Sequence, residues 1–95
     1  FNNMTEPVLV NVTEEIVRGL VSFMLYSPDY QTFCHCKECE LEVMAIALNK
    51  LPSKYVVSTE ARNAAYEQIN CPENIENINK QIIRAIHIVS KKPHH

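Results

Sequence analysis

The shortage of glycine restricts the fold of this chain more than any other feature of its sequence: the 95 residues include one glycine, Gly19. β-Sandwiches and β-barrels need many tight turns, and those turns depend on positive-φ positions that glycine fills most easily. Helices joined by short loops need few such positions. The chain has the length of one small domain, and its 46% hydrophobic and 21% charged residues are ordinary for a globular protein. The sequence therefore predicts a small all-α domain.

Hydrophobic periodicity and helix-ending signals predict about four helices. The predicted helices span 11–26, 37–49, 59–69 and 72–90, with one short extended segment at 54–58. Asn11 and Glu14 are expected to form a capping box at the start of the first helix. The second helix is apolar around most of its circumference, which indicates a central helix or a helix at a subunit interface.

The fourth predicted helix carries the clearest pattern in the chain. Its apolar residues approximate a heptad seam and are Ile75, Ile78, Ile82, Ala85, Ile86 and Val89. A stripe that faces the protein's own core is the ordinary use of such a pattern, and a dimer seam is the sharper alternative. Both interpretations are open at the level of sequence.

Charge and hydropathy exclude several classes of protein. The net charge is -2, whereas general duplex-DNA binders carry a basic excess, so duplex DNA is not an expected partner. No apolar run approaches the roughly 20 residues of a transmembrane helix. The opening stretch FNNMTEP lacks a signal-peptide pattern. We therefore expect a cytoplasmic protein with no membrane partner.

One domain is expected over residues 8–93. The terminal segments 1–7 and 94–95 are interpreted as remnants of cloning, so His94 and His95 are set aside from any site. Paired carboxylates held close together, a phosphate-binding loop and an open metal site are not recognisable in the sequence. The sequence therefore predicts that the protein is not an enzyme.

Three cysteines lie within six positions in the stretch CHCKEC, and a fourth stands alone. Cys34, Cys36 and Cys39 occupy a loop and the first turn of the second predicted helix, while Cys71 precedes the fourth. Thiolates two and three positions apart converge on one cation once the backbone turns, and a helix N-terminus lowers thiol pKa values. Structural zinc takes four tetrahedral ligands, so Cys71 is the expected fourth. The spacing thus predicts a structural Zn²⁺ site on four cysteines.

Other uses of the cysteines are also open. Clustered thiols of low pKa form reversible disulfides in redox sensors, and reduced cysteines also pack as small hydrophobic residues. His35 is a candidate substitute ligand, although its side chain is expected to point away if Cys34 and Cys36 converge.

The sequence resembles the late competence protein ComFB family. The matching features are the cysteine cluster, the upstream stretch NVTEEIVRGLV, the stretch ALNKLPSKYVVS at 47–58, and the final helix ending in VSKKP. The run LNKLPSKYV is the most specific of these, because neither periodicity nor capping dictates it. The resemblance covers about residues 8–93.

This resemblance implies a small, mostly helical homodimer. It also implies a zinc ion that supports the fold, held in this chain by Cys34, Cys36, Cys39 and Cys71. Members of the family look like receptors for cyclic di-AMP or cyclic di-GMP. The resemblance therefore implies a cyclic dinucleotide as ligand and an unidentified downstream protein as partner.

The chemistry of a cyclic dinucleotide selects candidate binding residues. Two phosphates and two purines call for Arg or Lys, amide groups, helix N-terminal N–H groups and a planar ring. The residues with these properties are Asn49, Lys50, Lys54, Tyr55, Ser58, Thr59 and Arg62, with Arg84 as an additional phosphate contact. Each of them also has an ordinary structural alternative, such as N-capping for Ser58.

The sequence leaves two main functions of different kinds. The first is a non-catalytic, cytoplasmic receptor for cyclic di-GMP or cyclic di-AMP with a structural zinc site. The alternative is a zinc-stabilised dimeric protein–protein adapter without a nucleotide ligand, in which apolar helices form the interaction surface. A thiol redox sensor and a DNA-binding zinc module are further hypotheses.

Overall fold

In the computed structural model, which describes residues 7–92, four helices form most of the chain. The elements in order are β1 (Val10–Asn11), α1 (Val12–Leu25), α2 (Lys37–Leu48), β2 (Tyr55–Val56), α3 (Thr59–Ile69) and α4 (Pro72–Ser90), with a 3₁₀ turn at Pro28–Tyr30. The predicted all-α class is confirmed, and α3 and α4 have the predicted bounds. The helices α1 and α2 each end one residue earlier than predicted, and the predicted extended segment contains β2.

Strands β1 and β2 form a two-stranded antiparallel ribbon that fixes the start of α1. Val10 pairs with Val56, and Asn11 pairs with Tyr55. The Asn11 Oδ1 atom accepts a hydrogen bond from the Lys54 N–H at 3.0 Å and makes no cap bond to α1. The predicted capping box is therefore wrong, because the ribbon places the Asn11 side chain against the backbone of Lys54.

Helix α1 is also bound to the loop that follows α2. The Thr13 hydroxyl donates to the Pro52 carbonyl at 2.9 Å, and the Val12 N–H donates to the Lys54 carbonyl at 2.7 Å. Thr13 is buried, and this hydrogen bond satisfies its hydroxyl. The two bonds hold the loop, including the predicted ligand residue Lys54, against the first turn of α1.

Helix α2 is the central helix of the core and packs against both α1 and α4. Its buried residues are Cys39, Val43, Met44 and Ala47. The apolar stripe of α4 is buried at Ile78, Ile82, Ala85, Ile86 and Val89. The core interpretation of that stripe is therefore confirmed, while Ile75 at its start is only half-buried.

Hydrogen bonds at both ends of α1 show that α1 and α2 run antiparallel. Thr13, near the start of α1, bonds to Pro52 beyond the end of α2. The Ser22 hydroxyl, near the end of α1, donates to Glu40 Oε2 in the first turn of α2 at 3.3 Å.

Helices α2 and α4 also run antiparallel. The Nζ atom of Lys92, just beyond the end of α4, lies 4.0 Å from the Oε2 atom of Glu42 in the first half of α2. In contrast, Ile78 of α4 and Leu51, just beyond the end of α2, line one cavity. The end of α4 therefore lies beside the start of α2, and the start of α4 lies beside the end of α2.

No helix within residues 7–92 is long and apolar enough to cross a membrane. The interpretation of the chain ends as remnants of cloning falls almost wholly on residues 1–6 and 93–95, which lie outside the described part of the chain.

Candidate functional site

The three clustered cysteines meet at the start of α2. The sulfur atoms of Cys34, Cys36 and Cys39 all lie within 4.8 Å of one another. No disulfide joins any of the four cysteines, all of which lie in the described part of the chain. Cys39 is buried and the other two are half-buried, so the cluster lies at the edge of the core.

The backbone at the start of α2 explains why these sulfur atoms converge. Cys36 is the N-cap of α2, and its sulfur accepts a hydrogen bond from the Cys39 N–H at 3.4 Å. An N-cap side chain faces the residue three positions later across the first helical turn. Cys34, two positions before the N-cap, brings the third sulfur to the same place.

The chemistry of this donor set fits zinc. Tetrahedral sites have Zn–S bonds of about 2.3 Å, which places ligating sulfurs about 3.8 Å apart, so the observed spacing needs little adjustment. Burial, followed by hydrogen bonds with Cys36 and Cys34, raises the pKa of the Cys39 thiol to about 12. A metal ion that binds the cluster must therefore displace a proton from Cys39.

Cys71 lies away from the cluster. It is the N-cap of α4, whose start lies beside the end of α2. The 12 residues of α2 separate that end from the cluster by about 18 Å. The structure therefore brings three of the four predicted ligands together within one chain and leaves Cys71 apart from them.

His35 lies among aromatic rings and is not part of the sulfur cluster. Its ring centroid is 5.2 Å from that of Tyr26 and 6.4 Å from that of Phe33. This position agrees with the expectation that the side chain points away from the converging cysteines.

A second feature lies at the opposite end of α2. A cavity of about 220 Å³ opens between the loop after α2 and the first turns of α4. Its lining residues are Thr13, Leu51, Pro52, Ser53, Lys54, Ile69, Asn74, Asn77 and Ile78. Aliphatic side chains, two amides and one lysine thus surround a single space, the mixture that is typical of small-molecule sites.

The predicted ligand residues are spread around this cavity, and Lys54 is the one that lines it. Tyr55 is 60% exposed on β2. The Arg62 Nε atom lies 2.8 Å from Glu15 Oε1, so its guanidinium group is already engaged in an ion pair. The side chains of Asn49, Lys50, Thr59 and Arg84 are exposed. The structure therefore brings one predicted ligand residue into the cavity and leaves the others outside it.

Ser58 caps α3, which is the structural role that the sequence offers as an alternative to ligand binding. Its hydroxyl oxygen accepts a hydrogen bond from the Ala61 N–H at 3.1 Å, at the start of α3. We expect Ser58→Ala to lower the free energy of unfolding by about 1 kcal/mol, because the first turn of α3 loses that acceptor. Urea denaturation checks this prediction. Ser58→Asn, which keeps an acceptor, should unfold close to the wild-type midpoint.

Asn74 and Asn77 line the cavity but were not predicted from the sequence. They lie three positions apart, which places them on one face of α4. The Asn74 Nδ2 atom donates to the Gln68 carbonyl at 3.2 Å, which fixes this amide near the start of α4. The regular spacing of asparagines in ENIENINK was the available signal, but their position beside Lys54 depends on how α4 packs.

Comparisons with known proteins agree with this fold. The family model described as late competence development protein ComFB matches residues 10–93. The solved structure of the late competence protein ComFB from Bacillus subtilis matches with a TM-score of 0.68 and 26% sequence identity, over 92% of this chain and 96% of that chain. No curated protein matches the sequence.

The ComFB family is not a known enzyme family. The family match and the structural match each cover nearly the whole chain. The resemblance seen in the sequence is therefore confirmed: the protein belongs to the ComFB family of late competence development proteins.

Proposed function

We propose that the protein is a non-catalytic, cytoplasmic receptor for a cyclic dinucleotide, and that it acts as a homodimer with a structural zinc ion at its cysteine cluster. The observation that carries the receptor function is the cavity beside Lys54 at the end of α2. Cyclic di-GMP and cyclic di-AMP are the candidate ligands. A downstream protein would then respond to the ligand-bound form.

The cavity offers both kinds of contact that a purine needs. Leu51, Ile69 and Ile78 give apolar surface against which a flat ring packs. The side-chain amides of Asn74 and Asn77 each carry donors and an acceptor, which suits the polar edge of a base. These groups come from separate segments of the chain and converge only in the folded protein.

Lys54 supplies positive charge at the same cavity. Its side chain is exposed, so its ammonium group is able to meet a phosphate at the mouth of the cavity without first leaving the core. Both backbone polar groups of Lys54 are hydrogen-bonded. Its N–H donates to Asn11 Oδ1, and its carbonyl accepts from the Val12 N–H. The site therefore has a hydrogen-bonded backbone and one exposed charged group.

The size of the cavity indicates how a larger ligand would bind. About 220 Å³ is less than the roughly 300–1,000 Å³ typical of pockets for drug-sized ligands. One cavity would then receive one nucleotide half of the ligand. Because a cyclic dinucleotide is two-fold symmetric, a homodimer with two equivalent cavities matches its symmetry.

A groove along α4 supports the homodimer. The residues that line it are Pro72, Ile75, Glu76, Asn79, Lys80 and Ile83. Ile83 is 39% exposed, although it is a large aliphatic residue. The Asn79 Oδ1 atom is buried and has no hydrogen-bond partner among residues 7–92. An amide oxygen in this state costs about 1–3 kcal/mol, and a donor from a second copy would remove that cost.

The spacing of the groove residues is symmetric about Asn79. Ile75 lies four positions before Asn79 and Ile83 lies four positions after it. If α4 of a second copy lies antiparallel with its own Asn79 opposite, two-fold symmetry brings each Ile75 to the second copy's Ile83. Glu76 and Lys80 line the same groove with opposite charges.

Gly19 lies in a neighbouring groove lined by residues of α1, α3 and α4, and Ile75 lines both grooves. A Cβ atom at Gly19 would meet nothing within 4 Å, and the residue does not have positive φ, so no contact inside the chain requires glycine. Glycine inside a helix costs about 1 kcal/mol relative to alanine. Close approach of a second copy at this position would explain why the residue is glycine.

Ile83→Lys is expected to shift the protein from dimer to monomer, because a charged group would enter the apolar centre of the proposed interface. Sedimentation equilibrium over a range of concentrations measures the effect, which we expect to be at least about a tenfold rise in the dimer Kd. Asn63→Lys adds the same charge at an exposed position of α3 and should leave the dimer Kd unchanged. A dimer that tolerates Ile83→Lys would place the interface elsewhere.

Calorimetry with cyclic di-GMP and with cyclic di-AMP tests the receptor function. We expect heat of binding and a higher melting temperature with one of them, because a ligand that binds only the folded state stabilises it. Neither heat nor a thermal shift with either ligand, in folded and metal-loaded protein, would remove this function.

The adapter function is the second candidate, and exposed apolar residues favour it. Phe23 is 77% exposed, Tyr26 is 73% exposed and Leu9 is 69% exposed. Large apolar side chains at this level of exposure suit a protein-binding surface. An adapter would bind its partner equally well with and without a cyclic dinucleotide, whereas a receptor would change its affinity for the partner.

A further inference from the structure

The β1–β2 ribbon carries a group of exposed apolar side chains that the proposed receptor site does not use. Nine large apolar residues within 7–92 are exposed, and four of them lie in the ribbon or next to it. These four are Val8, Leu9, Tyr55 and Val57. Apolar surface gathered in one place, as it is here, is typical of an interaction site, whereas single exposed apolar residues need no explanation.

Alternation along the two chains explains why this surface faces outward. Val10 and Val56 pair with each other and are half-buried, and Val56 packs against the core. Successive residues of an extended chain point to opposite faces. Leu9 therefore lies on the face away from the core, as do Tyr55 and Val57 on either side of Val56. The three side chains form one outer face of the ribbon.

The outer edge of β2 is open at Tyr55. In an antiparallel pair, residues whose N–H and C=O groups bond across the ladder alternate with residues whose groups point away from it. The Val12 N–H donates to the Lys54 carbonyl, which places Tyr55 among the residues that point away. Neither backbone polar group of Tyr55 has a hydrogen-bond partner in the described part of the chain. An edge in this state is a template for pairing with another extended chain.

Lys54 adds a charge beside this edge. Its side chain is exposed and lines the cavity, on the face opposite to Tyr55. Within residues 7–92, Lys54 forms no ion pair. A carboxylate on a strand added beside β2 would supply one. Because an exposed ion pair contributes only about 0–1 kcal/mol, this charge would set the register of the strand more than its affinity.

We propose that the outer edge of β2 binds an extended strand of a partner protein, antiparallel to β2, in which apolar and polar residues alternate and an acidic residue lies opposite Lys54. Strand addition takes its affinity from main-chain hydrogen bonds and its specificity from alternate side chains. A helix or a lipid surface would cover the outer face but would leave the N–H and C=O groups of Tyr55 unpaired. The inference goes beyond the receptor function, because the strand needs no nucleotide to bind.

A capped heptapeptide in which three valines alternate with threonine, and in which a glutamate follows the central valine, tests the inference. It is titrated without nucleotide into the full, ¹⁵N-labelled chain and followed by NMR. We expect the largest amide shifts at Tyr55 and Val57, together with slower hydrogen exchange at the Tyr55 N–H, because that group gains an acceptor. A peptide N-methylated at the central valine cannot donate to the Tyr55 carbonyl and should lose binding.

Leu9→Lys and Leu41→Lys are matched variants, because each replaces an exposed leucine by lysine, in the ribbon and on α2 respectively. We expect Leu9→Lys to raise the peptide Kd by at least about fivefold, which corresponds to roughly 1 kcal/mol. Leu41→Lys should leave the Kd unchanged. Lys54→Glu should prefer a peptide in which lysine replaces the glutamate.

Three results would overturn the inference. They are absence of peptide binding, equal binding of the N-methylated peptide, and amide shifts centred outside the ribbon. Protection of the Tyr55 N–H that rises with protein concentration in the absence of peptide would also overturn it, and would assign the edge to β2 of a second copy. Since no nucleotide is present in these measurements, their outcome is separate from that of the calorimetry that tests the receptor function.

Discussion

Removal of zinc is expected to lower the melting temperature of the protein by roughly 15 °C or more. A ligand that binds only the folded state stabilises it by about 4 kcal/mol when its free concentration is a thousand times Kd. In a domain of this size, each kcal/mol corresponds to a shift of roughly 4–8 °C. Differential scanning calorimetry before and after treatment with a strong chelator measures the change. Added zinc should restore the original transition.

Cys36→Ser distinguishes the role of Cys36 as a metal ligand from its role as a helix cap. Cys36 accepts the capping hydrogen bond from the Cys39 N–H, and serine is a good N-cap residue, so the variant keeps an acceptor there. It loses one of the three sulfur donors of the cluster. We therefore expect Cys36→Ser, even with excess zinc, to melt close to the chelated wild type.

Cys71→Ser is the matched control for this experiment. The substitution is chemically the same, but Cys71 lies at the start of α4, away from the cluster. Its melting temperature should stay within a few degrees of the wild type and should still fall on chelation. If neither chelation nor Cys36→Ser changes the transition, the cluster does not hold a structural metal. A reversible disulfide or simple packing would then explain its cysteines.

The affinity for zinc should also depend on pH. The pKa of Cys39 is raised to about 12 in the metal-free cluster, by burial first and then by the neighbouring thiols. The thiol is therefore protonated at neutral pH, and zinc binding releases its proton. Lower pH makes that release harder, so the zinc Kd is expected to rise as the pH falls from 8 to 6.

The sequence was most informative where local signals decide the structure. Pro72 and Ser58 mark the starts of α4 and α3, where proline in the first turn and a side-chain cap are local signals. The close spacing of Cys34, Cys36 and Cys39 similarly forces their sulfur atoms together once a helix begins at Lys37. These features needed no knowledge of how the helices pack.

Features that depend on helix packing were not predictable in the same way. Asn11 looked like a helix cap, but pairing of β1 with β2 gives its side chain another partner. Cys71 is predicted as the fourth metal ligand, and its position relative to the other three depends on the antiparallel arrangement of α2 and α4, which places it apart from them within one chain. Asn77 was not among the predicted ligand residues, and packing brings it to the cavity that Lys54 also lines.

Lys54→Ala and Asn77→Ala are each expected to weaken cyclic dinucleotide binding by roughly 10- to 100-fold. Loss of Lys54 removes the positive charge at the cavity, and hydrogen bonds to charged groups contribute about 1.5–3 kcal/mol. Loss of the Asn77 amide removes donors and an acceptor for the base edge, with a similar or smaller effect. Calorimetry with the preferred ligand gives both Kd values, and circular dichroism checks that the variants remain folded.

Lys91→Ala is the matched control for Lys54→Ala, because it removes the same charge from an exposed lysine beyond the other end of α4. A general electrostatic attraction between the protein and an anionic ligand would weaken in both variants and would disappear with added salt. A specific site weakens in Lys54→Ala alone. Wild-type affinity in both Lys54→Ala and Asn77→Ala would move the ligand away from this cavity. The start of α3 would then be the next candidate site. There, Arg62 would have to leave its ion pair with Glu15 before it could bind a phosphate.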